Sequence, residues 1–176
     1  MGQATLALRN LLIKVGIFVL LASALAWAVG GTLFGLEPAF AGVLRASAAD
    51  LGEACTFVGH VDDARPWLRA ATVVVHSSLR PEPFGLVMAE AMMQERPVVA
   101  FRQGGAAEIV LDGVSGRLVT PGDARALGDA VVTVLNDPAR ASAMGRAGRE
   151  RALRYFDADV MTASVAAVYD QVPDLA

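Results

Sequence analysis

The sequence has one cysteine, Cys55, and two histidines, His60 and His76, in 176 residues. A single thiol closes no internal disulfide, so a reducing compartment, the cytoplasm, is expected. So few thiols and imidazoles leave no cluster with zinc-ligand spacing, and no metal is expected. Charge is also scarce: 19% of residues are charged, the formal net charge is -3 and the pI is near 5.3. Phosphate backbones demand clustered Lys and Arg, so nucleic acid is not expected as a partner. Internal repeats and low-complexity segments are absent as well. What is present is apolar: 55% hydrophobic residues rule out a disordered chain. The length suits one ordinary domain with a real core, and not two large ones.

The N-terminal region departs from this composition. Val15 to Leu36, "VGIFVLLASALAWAVGGTLFGL", carries no charge and follows Arg9 and Lys14, so membrane association through residues 11–36 is one reading. "PAFAG" at 38–42 resembles a signal-peptidase site. Gly30, Gly31 and Gly35 suit a strand ending in a loop better than a continuous span. The preferred division is therefore a hydrophobic N-terminal helix over residues 1–23 and a domain over 24–176 that ends in a helix.

Beyond that region, strand-like and helical patterns alternate. "CTFVGHV" (55–61), "TVVVHSS" (72–78) and "RPVVAF" (96–101) are short apolar runs rich in β-branched residues, as in strands buried on both faces of a parallel sheet. "DDARPWLRAA" predicts a helix capped by Asp62 with Trp67 and Leu68 facing inward. "DARALGDAVVTVLND" predicts one capped by Asp123, with Leu127, Ala130, Val131, Val134 and Leu135 on one stripe. Pro138 starts another at its first position, and Asp157 caps a last one running through Val172. The alternation predicts an α/β fold, a Rossmann-like doubly wound parallel sheet whose ligands bind at the carboxyl ends of the strands.

The stretch "LRPEPFGLVMAEAMM" (79–93) then falls on such an end. "LRPEP" is the exit loop of the strand at 72–78, and the following helix begins near Phe84 or Gly85. The first amides, on Gly85, Leu86 and Val87, would attract an anion, and Gly85 would let it approach the backbone. Glu90, one turn on, leans back toward the helix start. Carboxylates cannot bind the anion itself. Glu82 and Glu90 would instead accept hydrogen bonds from hydroxyls, which suggests a diphosphate flanked by polyols.

"EPFGLVMAE" also fits the E-x7-E signature of family 4 glycosyltransferases of GT-B fold, which the chain resembles over roughly residues 26–172. "FVGHVDD", "RPVVAFRQGGAAEIVLDGVSGRLVTPGDARALGDAV" and "YF" extend the match. The resemblance implies the C-terminal, nucleotide-sugar donor-binding half of a GT-B fold. It implies a retaining transfer of sugar from a nucleotide-diphosphate donor to an acceptor hydroxyl, without a cofactor. Glu82 would be the catalytic-site residue contacting the donor sugar and Glu90 would contact the ribose. Phe84, Gly85, Leu86, Val87, Gly104 and Gly105 would complete the nucleotide-sugar site, and a backbone group near His60 would contact the base. The acceptor-binding half is not covered, so the isolated chain is expected to be inactive. A non-catalytic nucleotide-sugar binding module, or a half-enzyme needing a separate N-terminal domain, stays open beside the enzyme reading.

Two departures from the family accompany the match. The resemblance would make "MGQ" the remnant of the family's "KG" turn, with Met1 where a lysine that neutralises the diphosphate is expected, and on that reading the first strand is expected to be missing. Glu95 stands where the family has glycine, and a left-handed residue there costs about 1 kcal/mol. Other features have structural readings. His76 reads as a core histidine with satisfied hydrogen bonds. Gly104 and Gly105 fit a loop-to-helix turn as well as a ligand contact. "DAD" at 157–159 reads as a helix cap, and Arg146, Arg149, Arg151 and Arg154 as a solvated face. "GVSGR" lacks the strand and triad partners of a hydrolase elbow.

Overall fold

The computed structural model describes residues 37–58 and 61–171. The expected helix at 1–23, the apolar segment at 11–36 and His60 lie outside the described residues, as does Val172. A helix α1 (Glu37–Ser47) is followed by a 3-10 segment (Ala49–Ala54) that kinks at Gly52. "PAFAG" is thus part of a helix. Among the described residues, no helix is long and apolar enough to cross a membrane.

The domain proper then alternates: α2 (Arg65–Ala70), β1 (Val74–His76), α3 (Leu86–Met93), β2 (Val98–Phe101), a single-turn α4 (Ala106–Ile109), β3 (Gly116–Val119), α5 (Ala124–Leu135), α6 (Pro138–Tyr155) and α7 (Ala158–Tyr169). The strands form one parallel sheet in the order β1-β2-β3. Val74 pairs with Val98 and His76 with Ala100, and Ala100 in turn pairs with Leu118.

Because side chains alternate along a strand, the valine runs feed two cores. Val74, Val98, Ala100 and Leu118 pack on one face with Met88 and Met92 of α3 and Ile109 of α4. Val73, Val75 and Val99 pack on the other with Ala130, Val131 and Val134 of α5. The sheet is therefore covered on both sides, the doubly wound arrangement expected of the sequence. α6 contributes to both layers, through Ala141 and Met144 to one and Ala152 to the other. It lies hard against α3: a Cβ on Gly145 would fall 2.1 Å from the Glu95 carbonyl oxygen. Glu95, just beyond α3, has φ 59°, so the left-handed residue expected after that helix is there.

Three expectations are corrected. Residues 55–58 of "CTFVGHV" form no strand. Cys55 has extended dihedrals (φ -125°, ψ 120°), but β1 pairs with β2 alone among the described strands, and an extended segment without a neighbour forms no ladder. Second, Asp62 is not the cap of α2. Ala64 occupies that position, and Asp63 accepts the Arg65 amide at 2.9 Å. Third, the arginines of α6 are not simply solvated. Arg149 donates to the Met93 carbonyl. Arg151 donates to the carbonyls of Ile109 and Glu108 at 2.9 and 2.6 Å, satisfying the end of α4.

Two caps are as expected: Asp123 accepts the Ala126 amide at 2.8 Å and Asp157 accepts from Asp159. Pro138 opens α6 as expected, and Asp137 before it caps the helix by accepting from Arg140. Ser115, buried, accepts the Leu111 amide through its hydroxyl at 2.9 Å, a structural role.

Candidate functional site

β1 delivers the chain to the carboxyl edge of the sheet at His76, and residues 77–85 lead from there to α3. This loop carries Pro81 and Pro83, which hold the residues before them extended. Ties fix it to the loop after β2 and to the end of α6. The Gln103 side-chain amide donates to the Ser78 carbonyl. The Gly105 amide donates to the Glu82 carbonyl at 2.9 Å. Phe84 meets Phe156 edge-to-face with ring centroids 5.5 Å apart, a contact of about 1 kcal/mol beyond area burial.

The two loops touch so closely that only glycine fits between them. A Cβ on Gly104 would lie 2.4 Å from the Glu82 carbonyl oxygen, and one on Gly105 would lie 2.0 Å from that of Phe84. Gly104 also has φ 50°. The Gly105 amide is therefore engaged by the protein itself, and both glycines buttress the segment that carries Glu82 and Phe84.

Gly85 sits at the N-cap of α3 with φ 90° and ψ 63°, a left-handed conformation, and no side chain caps the helix. The first ladder bond runs from the Met88 amide to the Gly85 carbonyl at 3.0 Å. The amides of Leu86 and Val87 precede that bond and point out of the helix start. The helix is sided: Met88, Ala89, Ala91 and Met92 are buried, whereas Leu86 and Glu90, one turn apart, are exposed. Glu82 is half-buried. One of its oxygens, Oε1, lies 3.3 Å from Nε2 of His76. The other, Oε2, lies over Gly85, 3.6 Å from where a Cβ would be.

The structure thus brings Glu82, Phe84, Gly85, Leu86, Val87, Gly104 and Gly105 together where the strands end, with Glu90 on the solvent face of the adjoining helix. Chemically, this is a carboxylate beside free helix-start amides, suited to a ligand that is anionic on one side and hydroxyl-bearing on the other. His76 is the residue that sequence reasoning missed. It is buried as expected, but its Nε2 has no hydrogen-bond partner among the described residues. The only hint in the sequence was an imidazole at a strand end six positions before Glu82.

The family model for "Glycosyl transferases group 1" matches residues 23–137. The phosphatidyl-myo-inositol mannosyltransferase of Mycobacterium leprae is 37% identical over 131 residues, 73% of this chain and 35% of the relative. The lipopolysaccharide core biosynthesis mannosyltransferase LpcC of Rhizobium leguminosarum bv. viciae is 36% identical over 150 residues, 82% of this chain and 41% of the relative. The chain thus spans well under half the length of these two relatives. Among solved structures, Anabaena Alr3699/HepE in complex with UDP-glucose matches with TM-score 0.74 and 32% identity, over 80% of this chain and 39% of that one. The C-terminal domain of a glycosyl transferase group 1 protein (LpcC) from Francisella tularensis shares the fold over 90% of this chain and 83% of its own, with TM-score 0.63 at 20% identity. The fold is accordingly that of a C-terminal GT-B domain.

Proposed function

We infer the function from the family: the chain belongs to the glycosyl transferases group 1, and we propose that it holds a nucleotide-diphosphate sugar at the carboxyl edge of β1 and β2 for transfer, with retention, to an acceptor hydroxyl. The observation that carries this reading is the pairing of Glu82 with the uncapped start of α3 across Gly85. The diphosphate lies on the amides of Leu86 and Val87, stabilised by the helix dipole by up to about 2 kcal/mol. Glu82 accepts from hydroxyls of the sugar and Glu90 from those of the ribose. UDP-glucose in the Anabaena structure supports a donor of this class.

Transfer requires a leaving diphosphate stabilised beside an oxocarbenium-like sugar. It also requires an acceptor held in place, and such placement supplies roughly 7 to 11 kcal/mol of barrier reduction. The matched fold is that of a C-terminal GT-B domain, and the resemblance makes such a domain the half that holds a donor and not an acceptor. Alone it binds donor without turning it over, and transfer needs a second domain that brings the acceptor.

Thermal unfolding of the purified chain with UDP-, GDP- and ADP-sugars, followed by assay of released nucleotide with added acceptors, tests both parts. The expected result is stabilisation by at least one nucleotide sugar and background release. Stabilisation by none removes the donor site, and robust acceptor-dependent release by the chain alone removes the half-enzyme reading.

A further inference from the structure

His76 ends the strand that leads to the site and lies against Glu82, and no role has been given it so far. Its side chain is 5% exposed, whereas that of Glu82 is 39% exposed. Buried polar atoms are nearly always paired, yet Nε2 of His76 has no aligned partner among the described residues. The carboxylate oxygen Oε1 of Glu82, 3.3 Å away, is the acceptor within reach. The imidazole is fixed by its strand, where His76 pairs with Ala100 between two cores. The carboxylate, on a half-exposed side chain, is the member that can turn to complete the bond.

We propose that His76 is a positioning residue for Glu82: its Nε2–H holds Oε1 at the end of β1, so that Oε2 is presented over Gly85 at the start of α3, where the donor sugar lies. This rests on the donor-site reading above. Glu82 is then fixed at both ends, its carbonyl by the Gly105 amide at 2.9 Å and its carboxylate by the imidazole. A carboxylate held in one rotamer accepts from a hydroxyl without first being ordered, which is how supporting groups sharpen a site. His76 touches no ligand. Its effect reaches the sugar only through Glu82.

The test is calorimetry of the whole chain with UDP-glucose against UDP, and GDP-mannose against GDP, for wild type, His76→Phe, His76→Gln, Glu82→Ala and the double variant His76→Phe/Glu82→Ala. Phe keeps the bulk and removes the donor, while Gln restores an N–H. The expected result is that His76→Phe weakens nucleotide-sugar binding about tenfold, leaves nucleoside diphosphate binding within about twofold, and is rescued to within about threefold by His76→Gln. In the Glu82→Ala background the Phe substitution adds nothing, the non-additivity expected of one acting through the other. Equal losses for sugar-bearing and sugar-free ligands, or additive losses in the double variant, overturn the proposal. Wild type that binds no nucleotide sugar removes the donor-site reading instead. The imidazole 15N spectrum of the ligand-free chain then decides the pairing, with only two histidines to resolve. A proton on Nε2 whose resonance moves in Glu82→Ala sustains it, and a resonance that does not move overturns it.

Discussion

At the residue scale, the glycines of the site set how closely two loops approach. Gly105 is the tightest: a side-chain carbon there would meet the carbonyl oxygen, carbonyl carbon and Cα of Phe84 at 2.0, 2.6 and 2.6 Å. Backbone cannot yield as a flexible side chain does, so Gly105→Ala must push residues 82–84 away from the loop after β2. It would also disturb the bond from the Gly105 amide to the Glu82 carbonyl. The expected outcome is a loss of about 1–3 kcal/mol of stability, measured by urea unfolding, together with weakened nucleotide-sugar binding. Unchanged stability and binding would mean that the two loops do not rest on each other. Glu95 illustrates the opposite case, a non-glycine residue in a left-handed conformation. Its carbonyl lies against Gly145 of α6, and Arg149 of the same helix comes within 3.8 Å of its carboxylate.

At the element scale, β3 is fastened to the loop after β2 by one carboxylate. Asp112 accepts from Arg102 at 2.6 Å, from Arg117 at 3.2 Å and from the Leu118 amide at 3.1 Å. Partial burial pushes its carboxyl up, but the Leu118 amide and the two guanidiniums outweigh this and hold it below its ordinary value of 3.8. A carboxyl depressed by folding adds stability that is present above the unfolded value and is lost as pH falls through the folded one. Asp112→Asn should therefore cost about 1 kcal/mol near neutral pH, discounted for solvent exposure. In urea unfolding, the gap between wild type and variant should narrow as pH drops below 3.8. A gap independent of pH would contradict this role.

The same scale shows what the sequence could convey. α5 and α6 were legible because start signals and stripes are local: Asp123 caps α5, Pro138 opens α6, and Val131 and Val134 recur at helical spacing. β1 and β2 were legible as unbroken valine runs. β3 was not, because Gly116–Val119 includes Arg117 and only two large apolar residues, and its strand character comes from pairing with β2. Residues 55–58 failed in the reverse sense, with strand-like composition but no neighbouring strand among the described residues. Within the site, the loop-helix junction around "EPFG" could be read from order along the chain. The approach of Glu82 to His76 could not, since the five residues between them must first fold back on the strand end. Nor could the bonds of Arg149 and Arg151, which join α6 to α3 and α4.

At the scale of the whole molecule, two cores sandwich the described sheet, and the function proposed above puts a donor at its carboxyl edge. Glu82 lies at that edge and Glu90 on the solvent face of α3 beside it, and they are expected to serve different portions of one ligand. Calorimetry with UDP and UDP-glucose, and in parallel GDP and GDP-mannose, for wild type, Glu82→Ala and Glu90→Ala tests this most directly. The expected result is that Glu90→Ala weakens nucleoside diphosphate and nucleotide sugar alike, whereas Glu82→Ala weakens mainly the sugar-bearing ligand. Equal losses for both ligands in both variants, or no loss in either, would contradict it.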